Sequence, residues 1–179
     1  MSDPFVTKNI LKWYDLNKRS LPWRKNVSKE KRQYNTLISE FMLQQTQVAT
    51  VIPYFNKFVK EIPNIKKLAS VDNKKLIKLW EGLGYYSRAR NLKKAAQSVI
   101  KNFNGVIPDN FDDLKSLSGI GDYTANAILA IAFNKPYIPL DGNVERIIKR
   151  YLYLKKEKEI QKENLIEKKS ILGLSLIHI

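Results

Sequence analysis

The sequence predicts an all-α protein, a compact bundle of short helices around one central buried helix. Three observations lead there. Apolar residues recur at helical spacing along most of the chain, glycines and prolines separate these segments, and no run alternates apolar with polar residues as a strand does. At 179 residues, the chain is long enough for one domain with a real hydrophobic core.

The predicted helices follow one another with short breaks between them. The segment 123–133 is apolar nearly all round, which predicts the central buried helix. Asp72 precedes a run of polar residues and is predicted to be a helix N-cap. Apolar positions at helical spacing mark, in chain order, the segments 6–13, 37–42, 51–62, 76–83, 89–103, 123–133 and 144–152.

Charge and composition narrow the function classes. Lys and Arg number 32 against 17 Asp and Glu, a formal net charge of +15, so the expected partner is a polyanion, most simply nucleic acid. A basic composition without such a partner is the alternative. The chain has one histidine and no cysteine. Because cysteine is absent, these residues exclude a disulfide scaffold, a thiol nucleophile and a cysteine-ligated metal site. No apolar run is long enough to span a membrane and no signal peptide is visible, which predicts a cytoplasmic protein.

The composition changes after residue 154, which divides the chain into two predicted parts. We expect residues 1–154 to form the folded domain and residues 155–179 a tail. Two thirds of the side chains in 155–169 are charged, and 171–179 is abruptly apolar. This pattern is typical of a chain cut off within a domain or finished with unrelated sequence, and a genuine C-terminal packing segment is the alternative.

Two glycines two residues apart precede the predicted buried helix. Leu117, Gly119 and Gly121 have helical sequence on both sides, which is typical of a helix-hairpin-helix. Glycines let the backbone approach a ligand closely, and the free N–H groups at the start of the next helix suit a phosphate. Such an element grips the DNA backbone without reading bases. A plain turn between two helices is the alternative.

Two carboxylates and two polar stretches are candidates for function. Glu40 has apolar neighbours, and such surroundings raise a carboxyl pKa so that it can donate a proton near neutral pH. For Glu40, an ordinary surface glutamate is the alternative. Asp141, the second carboxylate, precedes the predicted helix 144–152, and ordinary N-capping of that helix is the alternative for it. Gln44 begins a run of amide side chains that suit base edges. Tyr85 and Arg88 follow a glycine turn and suit base stacking and phosphate binding, with a core aromatic pair as the alternative.

Taken in order, these stretches make the chain resemble the adenine DNA glycosylases, a family within the helix-hairpin-helix superfamily of base-excision enzymes. The runs Met-Leu-Gln-Gln-Thr-Gln-Val at 42–48 and Gly-Leu-Gly-Tyr-Tyr at 82–86 are the most specific. The resemblance extends over residues 5–154. The matching stretches are 21–24, 39–47, 53–55, 79–80, 82–91, 117–125 and 140–144.

The resemblance implies hydrolysis of the N-glycosidic bond of adenine mispaired with 8-oxoguanine or guanine in double-stranded DNA, with the adenine flipped into a pocket. It makes Glu40 the general acid that protonates the adenine ring. Asp141 becomes the carboxylate that stabilises the oxocarbenium-like sugar, as in sugar hydrolases. Asn143 is implied to position Asp141 or the water. Gln44 and Tyr85 are implied to enter the DNA helix beside the flipped base.

Position 123 separates the nearest relatives. Strand-cutting relatives such as endonuclease III carry a lysine there, whose amine forms a Schiff base. Tyr123 offers no amine, so the resemblance implies a monofunctional glycosylase, expected to act as a monomer. An enzyme of the endonuclease III type and a non-catalytic DNA-binding relic are the alternatives.

The family also implies two bound groups. One is a [4Fe-4S] cluster, whose cysteine ligands are absent from this chain. The other is a monovalent cation held by backbone carbonyls of the glycine hairpin. Because the residues that surround the cluster are missing, we expect these 179 residues alone to have weak activity or none.

Overall fold

The computed structural model describes the backbone of residues 4–151 and the side chains of residues 8–150. Within this range the chain is all-α, as the sequence predicts, and contains no strand. The predicted tail at 155–179 lies outside the described residues. None of the helices described is long and apolar enough to cross a membrane. In chain order they are α1 (Pro4–Asn17), a 3-10 turn (Pro22–Arg24), α2 (Lys29–Leu43), α3 (Val48–Glu61), α4 (Ile65–Ser70), α5 (Asn73–Trp80), α6 (Ser87–Asn102), α7 (Phe111–Ser116), α8 (Asp122–Phe133) and α9 (Gly142–Tyr151).

Short polar side chains set the starts of several helices by binding N–H groups that have no partner within the helix. The predicted N-cap is confirmed: Asp72 Oδ2 accepts hydrogen bonds from the N–H groups of Lys74 at 2.7 Å and Lys75 at 3.2 Å. The side chains of Ser28, Asn64 and Asn110 cap α2, α4 and α7 in the same way.

The core is organised around α2, which packs against the 3-10 turn, α3, α6 and α8. Its residues Leu37, Ile38, Phe41 and Met42 are fully buried. The predicted central helix is confirmed as α8, since most of its side chains from Thr124 to Ala132 are buried. Because α2 carries Glu40 and α8 carries Tyr123, the packing that forms the core also positions these two side chains.

The helices differ from the sequence prediction at three places. The six-residue helices α4 and α7 were not predicted, because one and a half turns are too short for an apolar period to stand out. Trp13, assigned by the periodicity to the apolar face of the first helix, is 64% exposed, because no described residue covers that side of α1.

Candidate active site

A cavity of about 790 Å³ opens between α2, α8, the start of α9 and the loops that follow α2 and α5. It has the size of a small-molecule site. Six of the residues singled out from the sequence line it, together with Arg24 and Gln45 and with apolar side chains of α8. The six are Glu40, Gln44, Tyr85, Arg88, Tyr123 and Asp141.

Glu40 lies near the C-terminal end of α2 and is partly buried at the cavity. Desolvation of its carboxyl group raises its pKa to about 7, and the positive charge of Arg24 opposes this shift. A carboxyl group with this pKa is partly protonated at neutral pH and can serve as a proton donor. Arg24 ends the matching stretch 21–24, and only the structure relates it to Glu40.

Asp141 is the N-cap of α9. Its Oδ1 accepts hydrogen bonds from the N–H groups of Asn143 at 3.0 Å and Val144 at 2.8 Å. The capping alternative is therefore correct for this residue, but it does not replace the functional interpretation, because Asp141 also lines the same cavity as Glu40. The cap uses one carboxylate oxygen and holds the group in a fixed orientation at the positive end of a helix.

Tyr123 lies in the first turn of α8 and is 45% exposed. Burial raises its pKa, and the negative charges of Glu40 and Asp141 raise it further, whereas Arg24 lowers it. Tyr123 therefore lies within electrostatic reach of both carboxylates and keeps its proton at neutral pH. The cavity lining includes no lysine.

Asn143 lies outside the cavity lining and is exposed. Its main-chain N–H binds Asp141, and its side-chain Oδ1 accepts a hydrogen bond from Arg146 Nη2 at 3.1 Å. The contact with Asp141 is thus made by the backbone, and the predicted role of the Asn143 side chain stays a prediction.

The glycine hairpin connects α7 to α8. Leu117 is buried, and Gly119 adopts φ +82, with an ideal Cβ on it meeting Asn91 at 2.8 Å and Phe41 at 2.9 Å. Gly119 is therefore required by both conformation and space. Gly121 precedes α8 in an extended conformation, and an added Cβ there would meet nothing within 4 Å. These three residues do not line the cavity, but they lie just before Tyr123 in the chain, and Tyr123 does line it.

Gln44 connects the hairpin to the cavity. Its Nε2 donates a hydrogen bond to the Gly119 carbonyl at 3.3 Å. The neighbouring Gln45 is exposed and adopts φ +56, and Tyr85 is 63% exposed with φ +46. In the sequence Gln45 is one member of the amide run that Gln44 begins, and its exposure beside the cavity is a property of the fold alone.

Arg88, predicted to hold a phosphate, is 6% exposed. Its guanidinium donates hydrogen bonds to protein carbonyls, including that of Met42 at 2.9 Å and that of Leu83 at 3.0 Å. The predicted phosphate contact stays a prediction, and this placement does not favour it.

The residues present suit one of the two bound groups implied by the family and not the other. The chain has no cysteine, and the described residues contain no group of three or more His, Cys, Asp or Glu side chains that could hold a metal ion. These residues therefore do not fit an iron–sulfur cluster. At the hairpin, the carbonyls of Leu117, Gly119 and Gly121 each accept one hydrogen bond. A carbonyl oxygen has two lone pairs, so they retain capacity for a cation.

Comparisons with known proteins agree with the fold and with the sequence motifs. The chain is 46% identical over 173 residues to an adenine DNA glycosylase of Buchnera aphidicola from Acyrthosiphon pisum, which covers 93% of this chain and 48% of that protein. It is 44% identical over 147 residues to the adenine DNA glycosylase of Homo sapiens, covering 79% of this chain and 27% of that protein. The chain thus spans about half of the first relative and about a quarter of the second.

Solved structures show the same fold. A thermostable thymine-DNA glycosylase matches with a TM-score of 0.81 and 26% identity, over 96% of this chain and 78% of that one. A trapped endonuclease III–DNA covalent intermediate matches with a TM-score of 0.76 and 22% identity, over 97% and 80% of the two chains. The family described as HhH-GPD superfamily base excision DNA repair protein matches residues 38–170. The chain therefore belongs to the HhH-GPD superfamily of base excision DNA repair proteins.

Proposed function

We propose that this chain carries the catalytic region of a monofunctional adenine DNA glycosylase. It hydrolyses the N-glycosidic bond of adenine mispaired with 8-oxoguanine or guanine in duplex DNA, and it acts as a cytoplasmic monomer with residues 1–154 as its catalytic domain. The observation that carries the proposal is a proton donor, Glu40, with a pKa of about 7, which lines one cavity with Asp141. The relatives named adenine DNA glycosylases support the choice of base.

Glu40 acts as the general acid. It donates its proton to the ring of the flipped adenine, and the electron pair of the breaking N-glycosidic bond moves onto the base, which leaves neutral. The Asp141 carboxylate stabilises the positive charge that develops on the sugar. Water then adds to the anomeric carbon as hydroxide, and its remaining proton restores the Glu40 carboxyl group. The Asp141 cap, made by two backbone N–H groups, holds that carboxylate without a mobile side-chain partner.

Strand cleavage requires an amine that attacks the sugar, and this separates the proposal from an enzyme of the endonuclease III type. Tyr123 occupies the position at which the strand-cutting relatives carry a lysine, and no lysine lines the cavity. The expected product is therefore an abasic site in an intact strand. The two enzyme types are distinguished by incubating a labelled duplex with the protein and separating the strands by size, with and without alkali treatment. An intact abasic strand breaks only after alkali. Breaks formed without alkali contradict the monofunctional proposal.

The test of the site compares Glu40→Gln and Asp141→Asn with a matched control, Glu61→Gln, on the longest natural form of the protein that contains these residues. Glu61 is an exposed carboxylate paired with Lys75, and it does not line the cavity. Loss of general acid catalysis alone costs roughly 10²–10⁴-fold in rate. We expect both site variants to bind an adenine:8-oxoguanine duplex and to lose at least that factor in single-turnover rate, with the control unchanged. Full activity in either site variant refutes the assignment.

The pH dependence supplies a second check on Glu40. The rate should fall as the pH rises above about 7, because the donor then loses its proton. A non-catalytic relic, the other alternative, would bind the duplex with normal salt dependence and excise no adenine at any pH.

A further inference from the structure

Two exposed side chains at the cavity share an unusual backbone conformation. Gln45, in the loop after α2, has φ +56, and Tyr85, in the loop after α5, has φ +46. Both line the cavity. Residues with a Cβ are disfavoured in this left-handed region, so surrounding contacts must hold each of them there.

Arg88 makes those contacts with one buried guanidinium. Its Nη1 donates to the carbonyls of Phe41 at 3.3 Å, of Met42 at 2.9 Å and of Gln44, and to the hydroxyl of Thr46 at 3.0 Å. These acceptors lie at the C-terminal end of α2, where unpaired carbonyls favour a positive charge.

The other terminal nitrogen of the same group reaches the second loop. Arg88 Nη2 donates to the carbonyls of Leu83 at 3.0 Å and Gly84 at 3.2 Å. The Tyr85 ring centroid lies 5.6 Å from the guanidinium carbon, as does that of Trp80. Arg88 therefore binds the carbonyl immediately before each left-handed residue: that of Gln44 before Gln45, and that of Gly84 before Tyr85.

We propose that Arg88 is a positioning residue that joins the two loops into one rigid unit, so that Gln45 and Tyr85 enter the DNA duplex together. The proposal rests on the proposed function only in taking a duplex as the ligand. A lysine cannot replace the arginine, because one ammonium group lacks the planar fork that reaches both loops at once. The group is buried, and its two terminal nitrogens donate to protein carbonyls and to the Thr46 hydroxyl, so positioning accounts for Arg88 better than contact with a phosphate.

The experiment measures coupling between the two side chains with the full chain and a duplex that carries 2-aminopurine beside the mispaired adenine. Its fluorescence rises when neighbouring bases unstack. Gln45→Ala, Tyr85→Ala and the double variant are made with Arg88 and with Arg88→Lys. With Arg88 present, we expect coupling of about fivefold or more between the two alanine substitutions, as for residues that act as a unit. With Arg88→Lys, the two effects should become additive.

A phosphate-binding role of Arg88 would change the salt dependence of binding instead of the coupling between the two loops. If Arg88 binds a phosphate, a neutral replacement, Arg88→Gln, lowers the slope of log affinity against log salt by about one, whereas Arg88→Lys keeps the charge and leaves both the slope and the coupling nearly unchanged. Either persistence of the coupling or such a change of slope overturns the proposal. Arg90→Lys, an exposed arginine two residues along α6, is the matched control and should leave the coupling intact.

A second variant covers the case in which Arg88→Lys fails to fold, which circular dichroism and thermal melting reveal. Thr46→Val removes one acceptor of Arg88 Nη1 without touching the arginine. It should lower the coupling in a folded protein, and unchanged coupling overturns the proposal. No readout here needs bond cleavage. A chain that unstacks the duplex through coupled loops but excises no adenine contradicts the proposed function and leaves this inference standing.

Discussion

Replacing Glu40 by Gln should make the protein more stable above neutral pH, and the size of the effect follows from its surroundings. Desolvation raises the pKa of this carboxyl group from 4.5 to about 7. One pKa unit corresponds to about 1.4 kcal/mol, so ionising Glu40 in the folded protein costs about 3 kcal/mol. The group is partly buried rather than fully exposed, so solvent screening removes only part of this cost. Gln keeps the size of the side chain and removes the titration.

The direction follows from proton binding in the two states. Between pH 4.5 and about 7 the folded state holds a proton on Glu40 that the unfolded state has released, so the free energy of unfolding falls as the pH rises through this window. Below 4.5 both states are protonated, and above 7 the full cost is present. The free energy of unfolding of Glu40→Gln minus that of the wild type should therefore rise by up to about 3 kcal/mol between pH 4 and pH 8.

Urea unfolding at half-unit pH steps measures this difference. Other titrating groups are common to both proteins and cancel. Glu61→Gln is the control of opposite sign, because Lys75 lowers the pKa of that exposed carboxyl group. Its difference should fall, not rise, with pH. A flat difference for Glu40→Gln across the whole window would refute the conclusion that burial in the cavity raises the pKa of Glu40.

Three further predictions concern the hairpin, the cap and DNA. Gly119→Ala should lower the free energy of unfolding, measured by chemical denaturation, by roughly 2–4 kcal/mol, because the backbone is strained and the new Cβ overlaps Asn91 and Phe41. Gly84→Ala is the control: an added Cβ there meets nothing, so the cost should be only about 1 kcal/mol. Asp141→Ala should cost about 1 kcal/mol of stability by removing the cap of α9, and Asp141→Asn almost nothing, as thermal melts can check. Affinity for duplex DNA should fall steeply with salt in a titration, because phosphate contacts release counterions; an affinity indifferent to salt contradicts this.

Much of the fold could be predicted because helical periodicity is a local property. The all-α class, the buried character of α8 and the Asp72 cap each depend on residues within one or two turns of each other. The short helices α4 and α7 escaped prediction for the same reason, since six residues hold too few apolar positions to define a face. The exposure of Trp13 shows the limit of the pattern, because a periodic apolar face does not say whether another element covers it.

The sequence by itself determined the chemical types and their order: two carboxylates, a glycine hairpin, a tyrosine in place of an amine, and a large positive charge. Only the tertiary structure decided what each group does. Packing of α8 on α2 brings Tyr123 and Glu40 to one cavity, and the start of α9 adds Asp141 to its lining although these residues lie far apart in the chain. Desolvation there raises the pKa of Glu40. Arg88 is an ordinary cation in the sequence, but burial between two loops turns its donors toward backbone carbonyls. The reason is physical: pKa values and hydrogen-bond partners depend on distances and burial, which residues distant in the chain create only when it folds.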